Sequence, residues 1–365
     1  MDILNCDRRY QCLCGLGVAF DHVAAYVLEH TGVKDPKDLK VAVVSDRAVS
    51  GYYYNRFENQ FIERGVKPVL IPLLNMDTGK KLSVVEEILK YLTDFGFGPC
   101  DYMIALGGGS VLDATGFAAK IFDPGIGFIA IPTTLNAMIE GSVAGKARLN
   151  VSGRKDELSV PFDPDLVMID PSFDKTIPSK VRSNGYAAVI RYAILDDLEL
   201  ITDLENPGDL REYLGRIYTS HTRIEQKDPR LLTLGNELAG AIEGYYRFMN
   251  YTEGEALALS LLASVDERRR QPLSRIYEVL GLPISLRDAP VKMIVKTLED
   301  SLRRQGKRMI DFVDLSGSRW VVRTAGTDEA LDVFTKRLMV ISGVDHKRQK
   351  RSKRQLPYLW QHVLS

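Results

Sequence analysis

The sequence predicts an α/β chain in two parts: an N-terminal Rossmann-like domain built on a parallel sheet and a C-terminal domain that is all α-helical. Three observations carry that reading. A strand, a glycine turn and a helix start follow one another at residues 102–121. Strand and helix signals alternate from Lys40 to Ile169, the pattern of a parallel sheet covered by helices. Beyond Pro171 only helical periodicity is left. The boundary falls near residues 170–178, giving domains 1–172 and 173–365.

The elements follow in chain order. Lys40–Ser45 (KVAVVS) reads as a strand that ends at Asp46. Val69–Leu73 is a second strand, and Ser83–Phe95 has the periodicity of an amphipathic helix. The apolar run Tyr102–Leu106 has the length of a buried strand and runs into Gly107-Gly108-Gly109, after which Ser110 opens a helix carrying Asp113. Such an order builds a phosphate cradle, because glycines admit a ligand close to the backbone and the helix start presents free N–H groups to negative charge. Phe128–Ile131 follows as another strand and ends in Pro132-Thr133-Thr134; Leu166–Ile169 closes the series. A nucleotide site on an α/β sheet is the reading. Helices are then expected over 181–204, 207–225, 230–249, 253–270 and 290–306.

Composition limits what the chain can be. Its 365 residues hold 45% hydrophobic and 26% charged side chains, enough for two domains with real cores. With 48 basic and 48 acidic residues the formal net charge is zero, so no bulk field draws it to nucleic acid or membrane. Four cysteines argue against a disulfide scaffold, and alternation puts Cys12 and Cys14 on one face of a strand as buried thiols. No signal peptide and no bilayer-length apolar run is read, which points to the cytoplasm. The charge run His346–Arg354 reads as a solvated helix end or tail.

The stretches GGGSVLDATGFAA, IPTTLNAMIEGSVAGK and VIRYAIL resemble the core signatures of 3-dehydroquinate synthase and its relatives, the sugar phosphate cyclases. The likeness runs in order from about Lys40 to about Pro283, and GGG with IPTT is shared with the iron-dependent dehydrogenases. It implies a dehydroquinate synthase-like layout, a small-molecule substrate in the cleft between two domains, a homodimer and bound NAD. Asp46 alone reads equally as a ribose acceptor or a helix cap; the resemblance favours the ribose. By the same resemblance Asp77 and Lys80 belong to the NAD loop, and Gly107, Gly108 and Gly109 hold the pyrophosphate. Asp113 lies near the nicotinamide ribose, Thr133, Thr134 and Leu135 make a second nucleotide contact, and Lys155 is a cofactor-side lysine.

The chemistry half of the family pattern is changed. The family holds a divalent metal, usually zinc, on a glutamate and two histidines, and those positions are Ala188, Asn236 and Glu253 here. No zinc is expected, since alanine has no ligand atom and an amide is a poor one. Glu237, Glu253 and Glu255 are the residues from which an oxygen cage could be rebuilt. Substrate-phosphate contacts are depleted too, with Pro124, Gly240 and Asp156 at family positions for arginine, histidine and asparagine. Lys146, Glu140, Arg191 and Asp113 remain as candidates for acid–base and charge-stabilising roles. Three functions follow from the resemblance: an NAD-binding enzyme with diverged, metal-independent chemistry on a small polyhydroxylated or carbonyl substrate, as in secondary metabolism; a catalytically inactive scaffold; or a metal-dependent cyclase with an unusual ligand set.

Overall fold

Apolar runs without alternation belong to strands buried on both faces, and every residue of Tyr102–Gly107 is indeed buried. The computed structural model describes residues 2–4, 10–74, 80–152, 154–204, 209–288 and 290–342. Its first nine strands are β1 (Asp2–Leu4), β2 (Gln11–Cys14), β3 (Val41–Asp46), β4 (Val69–Leu73), β5 (Tyr102–Gly107), β6 (Gly127–Pro132), β7 (Lys146–Val151), β8 (Arg154–Pro161) and β9 (Leu166–Ile169). Among the described residues, seven of these form one sheet in the order β1-β2-β9-β6-β5-β3-β4. Only the edge pair β1–β2 is antiparallel. Cys12 and Cys14 are fully buried in β2. β7 and β8 form a separate antiparallel hairpin that the sequence reading did not include.

The sheet is wound by α1 (Val18–Asp21), α2 (Val23–His30), α3 (Arg47–Ile62), α4 (Leu82–Asp94), α5 (Gly109–Ile121) and α6 (Leu135–Ile139). From β3 the chain moves outward to β4, then returns past β3 to β5 and on to β6. Right-handed crossovers therefore place α3 on one face and α4 and α5 on the other. α5 packs on β5 and β6 and against α4.

The remaining elements are α7 (Ser179–Leu195), α8 (Glu199–Thr202), α9 (Leu210–Lys227), α10 (Asn236–Tyr245), α11 (Glu253–Ser264), α12 (Glu267–Leu280), α13 (Val291–Arg304), β10 (Met309–Ser316), β11 (Arg319–Gly326) and α14 (Thr327–Val340). The expectation of an all-helical second half needs one correction: β10 and β11 pair in a hairpin. Gly317, at φ 61°, supplies the left-handed residue of its two-residue turn. Three long helices also break, residues 181–204 into α7 and α8 between Leu195 and Glu199. Residues 230–249 begin as a 3-10 turn and restart after Gly235 at φ 90°. Residues 253–270 break at Val265, and the Asp266 side chain caps α12 by accepting from the Arg269 amide at 3.0 Å.

Packing divides the chain into two units, residues up to Arg182 with Leu210–Tyr218, and Ser183–Asp209 with the chain from Thr219 on. The first unit thus extends past residue 172. Phe173 packs its ring against Phe20 and Tyr53, with centroids 5.5 and 4.8 Å away, and Arg182 Nε donates to Asp174 at 2.9 Å. Leu210–Tyr218 joins the same unit through Arg211, 3.2 Å from Asp2, and the Tyr218 hydroxyl, which donates to the Met138 carbonyl at 2.8 Å. Among the described residues no helix is long and apolar enough to cross a membrane.

Two glycines of the second unit separate close packing from backbone entropy. A Cβ at Gly254 would lie 2.3 Å from Asn184 Cα, whereas one at Gly240 would meet nothing within 4 Å. Gly254→Ala is expected to cost about 3 kcal/mol through overpacking. Gly240→Ala should add about 0.5–1 kcal/mol from helix propensity. Denaturant unfolding of the two variants checks the opposite signs.

Candidate functional site

Neighbouring strands β3, β5 and β6 end at Asp46, Gly107 and Pro132. Winding reverses between β3 and β5, and the carboxyl ends at such a reversal are where open α/β sheets bind ligands. Gly107 is glycine for space, since a Cβ there would lie 2.7 Å from Val111 Cβ; at Gly108 it would lie 3.2 Å from Thr134 Cγ2, and at Gly109 it would meet nothing within 4 Å. None of the three has positive φ. The turn is close-packed beneath and open at Gly109. Gly108 caps α5 without a side chain, so the first N–H groups of that helix lack intrahelical partners.

Asp46 does cap a helix: its Oδ1 accepts from the Ala48 and Val49 amides, both at 2.9 Å. Thr133 donates its N–H to the Gly107 carbonyl at 2.9 Å, which ties the end of β6 to the glycine turn. Its hydroxyl is buried without a hydrogen-bond partner, a situation that buried polar groups rarely sustain. Thr134 caps α6, accepting from Ala137 N–H at 3.3 Å, and the Leu135 side chain is buried. Asp77 lies outside the described residues.

Asp113 projects from α5 into an ionic cluster. Its Oδ2 accepts from Lys80 Nζ and its Oδ1 from the Arg148 amide at 3.0 Å, while Lys80 Nζ also sits 2.7 Å from Asp156 Oδ1. Burial pushes the Asp113 carboxyl above its ordinary value, with Lys80 and the Arg148 amide opposing the rise and Asp156 adding to it. Asp113 and Lys146 line one small cavity of about 30 Å³, with Tyr10, Phe128 and Phe162 among its walls. Lys146 is exposed at the start of β7, Glu140 is half-buried at the end of α6, and Lys155 is half-buried on β8. Sequence reading missed the grouping of Lys80, Asp113 and Asp156, because it depends on the β7–β8 hairpin.

Arg191 belongs to the second unit. It is buried on α7, and its Nη1 donates to Asn236 Oδ1 at 2.7 Å and to the Leu234 carbonyl at 3.4 Å. Ala188, three residues earlier on the same helix, presents a fully buried methyl group. Thr252, which caps α11, bonds Asn184 of α7 at 2.5 Å, so the helix carrying Glu253 starts on α7 as well. Glu255 is engaged in that cap, with an oxygen 2.8 Å from the Thr252 N–H, and Glu253 is exposed. Among the described residues no three His, Cys, Asp or Glu side chains group as a metal set. Glu237, half-buried beside Asn236, is pushed up to about 6 by burial, against the pull of Arg337, Lys307 and Arg191.

Fold and strand order define an α/β protein with a parallel sheet in its first unit and a mainly helical second unit, and solved structures share that fold. The chain is similar to 2-epi-5-epi-valiolone synthase from Streptomyces hygroscopicus, solved with NAD+ and Zn2+, at 19% identity and TM-score 0.76, covering 91% of this chain and 97% of that one. It is similar to a 2-deoxy-scyllo-inosose synthase complexed with carbaglucose-6-phosphate, NAD+ and Co2+, at 17% identity and TM-score 0.72 over 92% and 99% of the chains. The 3-dehydroquinate synthase N-terminal family profile matches residues 70–184. A 3-dehydroquinate synthase from Prochlorococcus marinus is 31% identical over 304 residues, 75% of this chain and 82% of that protein. The chain belongs to the 3-dehydroquinate synthase family.

Glu237 gives the site a pH signature. A folded-state pKa raised from 4.5 to about 6 means the native protein holds this proton more tightly than the unfolded chain. Its contribution is fully present below pH 4.5 and is lost as pH rises through about 6. Glu237→Gln should flatten that part of the stability–pH curve and raise stability at pH 7 by about 1 kcal/mol after solvent screening. Thermal midpoints measured from pH 4 to pH 8 check it.

Proposed function

We propose that this chain binds NAD at the β3–β5 reversal and performs metal-independent chemistry on a small polyhydroxylated or carbonyl substrate. The observation that carries it is the Arg191–Asn236 hydrogen bond: the amide oxygen at a family metal position is already held by a guanidinium. With a methyl group at Ala188, an exposed Glu253 and Glu255 turned to its own cap, the residues present do not fit a zinc site. The same facts count against a rebuilt oxygen cage.

The nucleotide residues fit NAD. The open backbone at Gly109 and the uncapped start of α5 suit a pyrophosphate. Asp46 uses only Oδ1 in its cap, which leaves Oδ2 to accept from a ribose hydroxyl, and the unpaired Thr133 hydroxyl supports a further polar contact. When bound, NAD supplies hydride transfer. The protein's own part is proton and charge management: Asp113, with Lys80 against it, exchanges a proton with a hydroxyl, while Lys146 and Glu140 of the same unit bind and steady developing charge.

Calorimetry with purified protein should show NAD binding in the micromolar range, as cofactor sites commonly do. Absence of heat and of any thermal shift at millimolar NAD and NADH would sink the cofactor reading. Elemental analysis should return no stoichiometric zinc or cobalt, and one transition metal per chain would restore the metal-dependent cyclase in its place.

A further inference from the structure

We propose that Asp156 is a specificity-determining residue, which, by clamping Lys80 against Asp113, fits the first unit's site to the hydroxyls of an uncharged polyol and against a phosphate ester. This rests on the reading of a small polyhydroxylated substrate. Lys80 is a cation shared by two carboxylates: Asp113 Oδ2 accepts from its Nζ, and Asp156 Oδ1 stands 2.7 Å away. The clamp is built into the backbone. Asp156 holds φ 54°, a left-handed conformation that is costly for a residue with a Cβ. Asn150 secures both sides of it, accepting the Asp156 N–H on its Oδ1 at 2.9 Å and donating its own N–H to the Lys80 carbonyl at 2.7 Å.

Charge then decides what the cluster can receive. Two ionised carboxylates and one ammonium leave it a net negative charge, so an arriving phosphate meets repulsion that Lys80 is already committed to balancing. Carboxylate oxygens accept hydrogen bonds from several directions and the ammonium has three donors, a set that matches neighbouring hydroxyls. Lys146, on the cavity with Asp113, is exposed at the start of β7, where solvent screens its charge. The solved 2-deoxy-scyllo-inosose synthase, by contrast, carries carbaglucose-6-phosphate.

The test compares glucose 6-phosphate with glucose by calorimetry on the full chain, with and without saturating NAD. Asp156→Asn should gain about tenfold or more in affinity for glucose 6-phosphate, since it removes a like-charge contact. Glucose should bind it no better than it binds the wild type. Asp156→Glu keeps the charge and should keep rejecting the phosphate, and circular dichroism verifies that both variants fold. Equal glucose 6-phosphate affinity in wild type and Asp156→Asn, including none in either, overturns the proposal. So does a gain of the same size in Asp156→Glu. Loss of NAD binding alone would strike the cofactor reading, because the phosphate comparison is also made without it.

Discussion

The packing of Val111 over Gly107 sets the geometry of the first unit. No side chain fits between the end of β5 and the first turn of α5, so the helix starts directly on the strand. That closeness brings Thr133 onto the Gly107 carbonyl and aligns the ends of β5 and β6. It also fixes the phase of α5, and hence the direction of Asp113 one turn further on. A substitution at Gly107 would disturb the ionic cluster without touching any of its members. Gly109 has the opposite character, being open to whatever approaches the turn.

A second constraint acts in the second unit. An arginine on α7 reaches the start of α10 and uses the amide of Asn236 as its acceptor. Guanidinium groups are always charged and favour fixed, planar hydrogen bonding. The Arg191–Asn236 bond therefore orients a buried cation and ties α7 to the start of α10. Glu237, next in sequence, feels Arg191, Arg337 and Lys307, yet burial dominates its behaviour.

Legibility in the sequence followed the range of the interactions. Strands β3 to β6 and β9 could be read from apolar runs, because burial on both faces leaves a continuous hydrophobic signature. The ends of the long helices were less legible. Gly235 and Asp266 break periodic segments through a left-handed turn and a capping side chain, and neither interrupts the apolar spacing. Both hairpins escaped notice since their strands are half-exposed, although Gly317-Ser318 between two β-rich runs is a turn signal that was there to be used. Asp46 shows the ambiguity of a short acidic residue, serving as a helix cap whatever else it binds.

The sequence by itself determined the parallel α/β half, the glycine turn and the mainly helical character of the second half. These are local in kind: each depends on residue type, spacing or order along the chain. Tertiary structure alone decided which charges meet. Lys80 lies 33 residues from Asp113 in sequence, and Arg191 lies 45 from Asn236, so no pattern along the chain records either partnership. An ion pair or buried hydrogen bond falls off within a few ångströms and has no period, and only packing brings such groups within that distance.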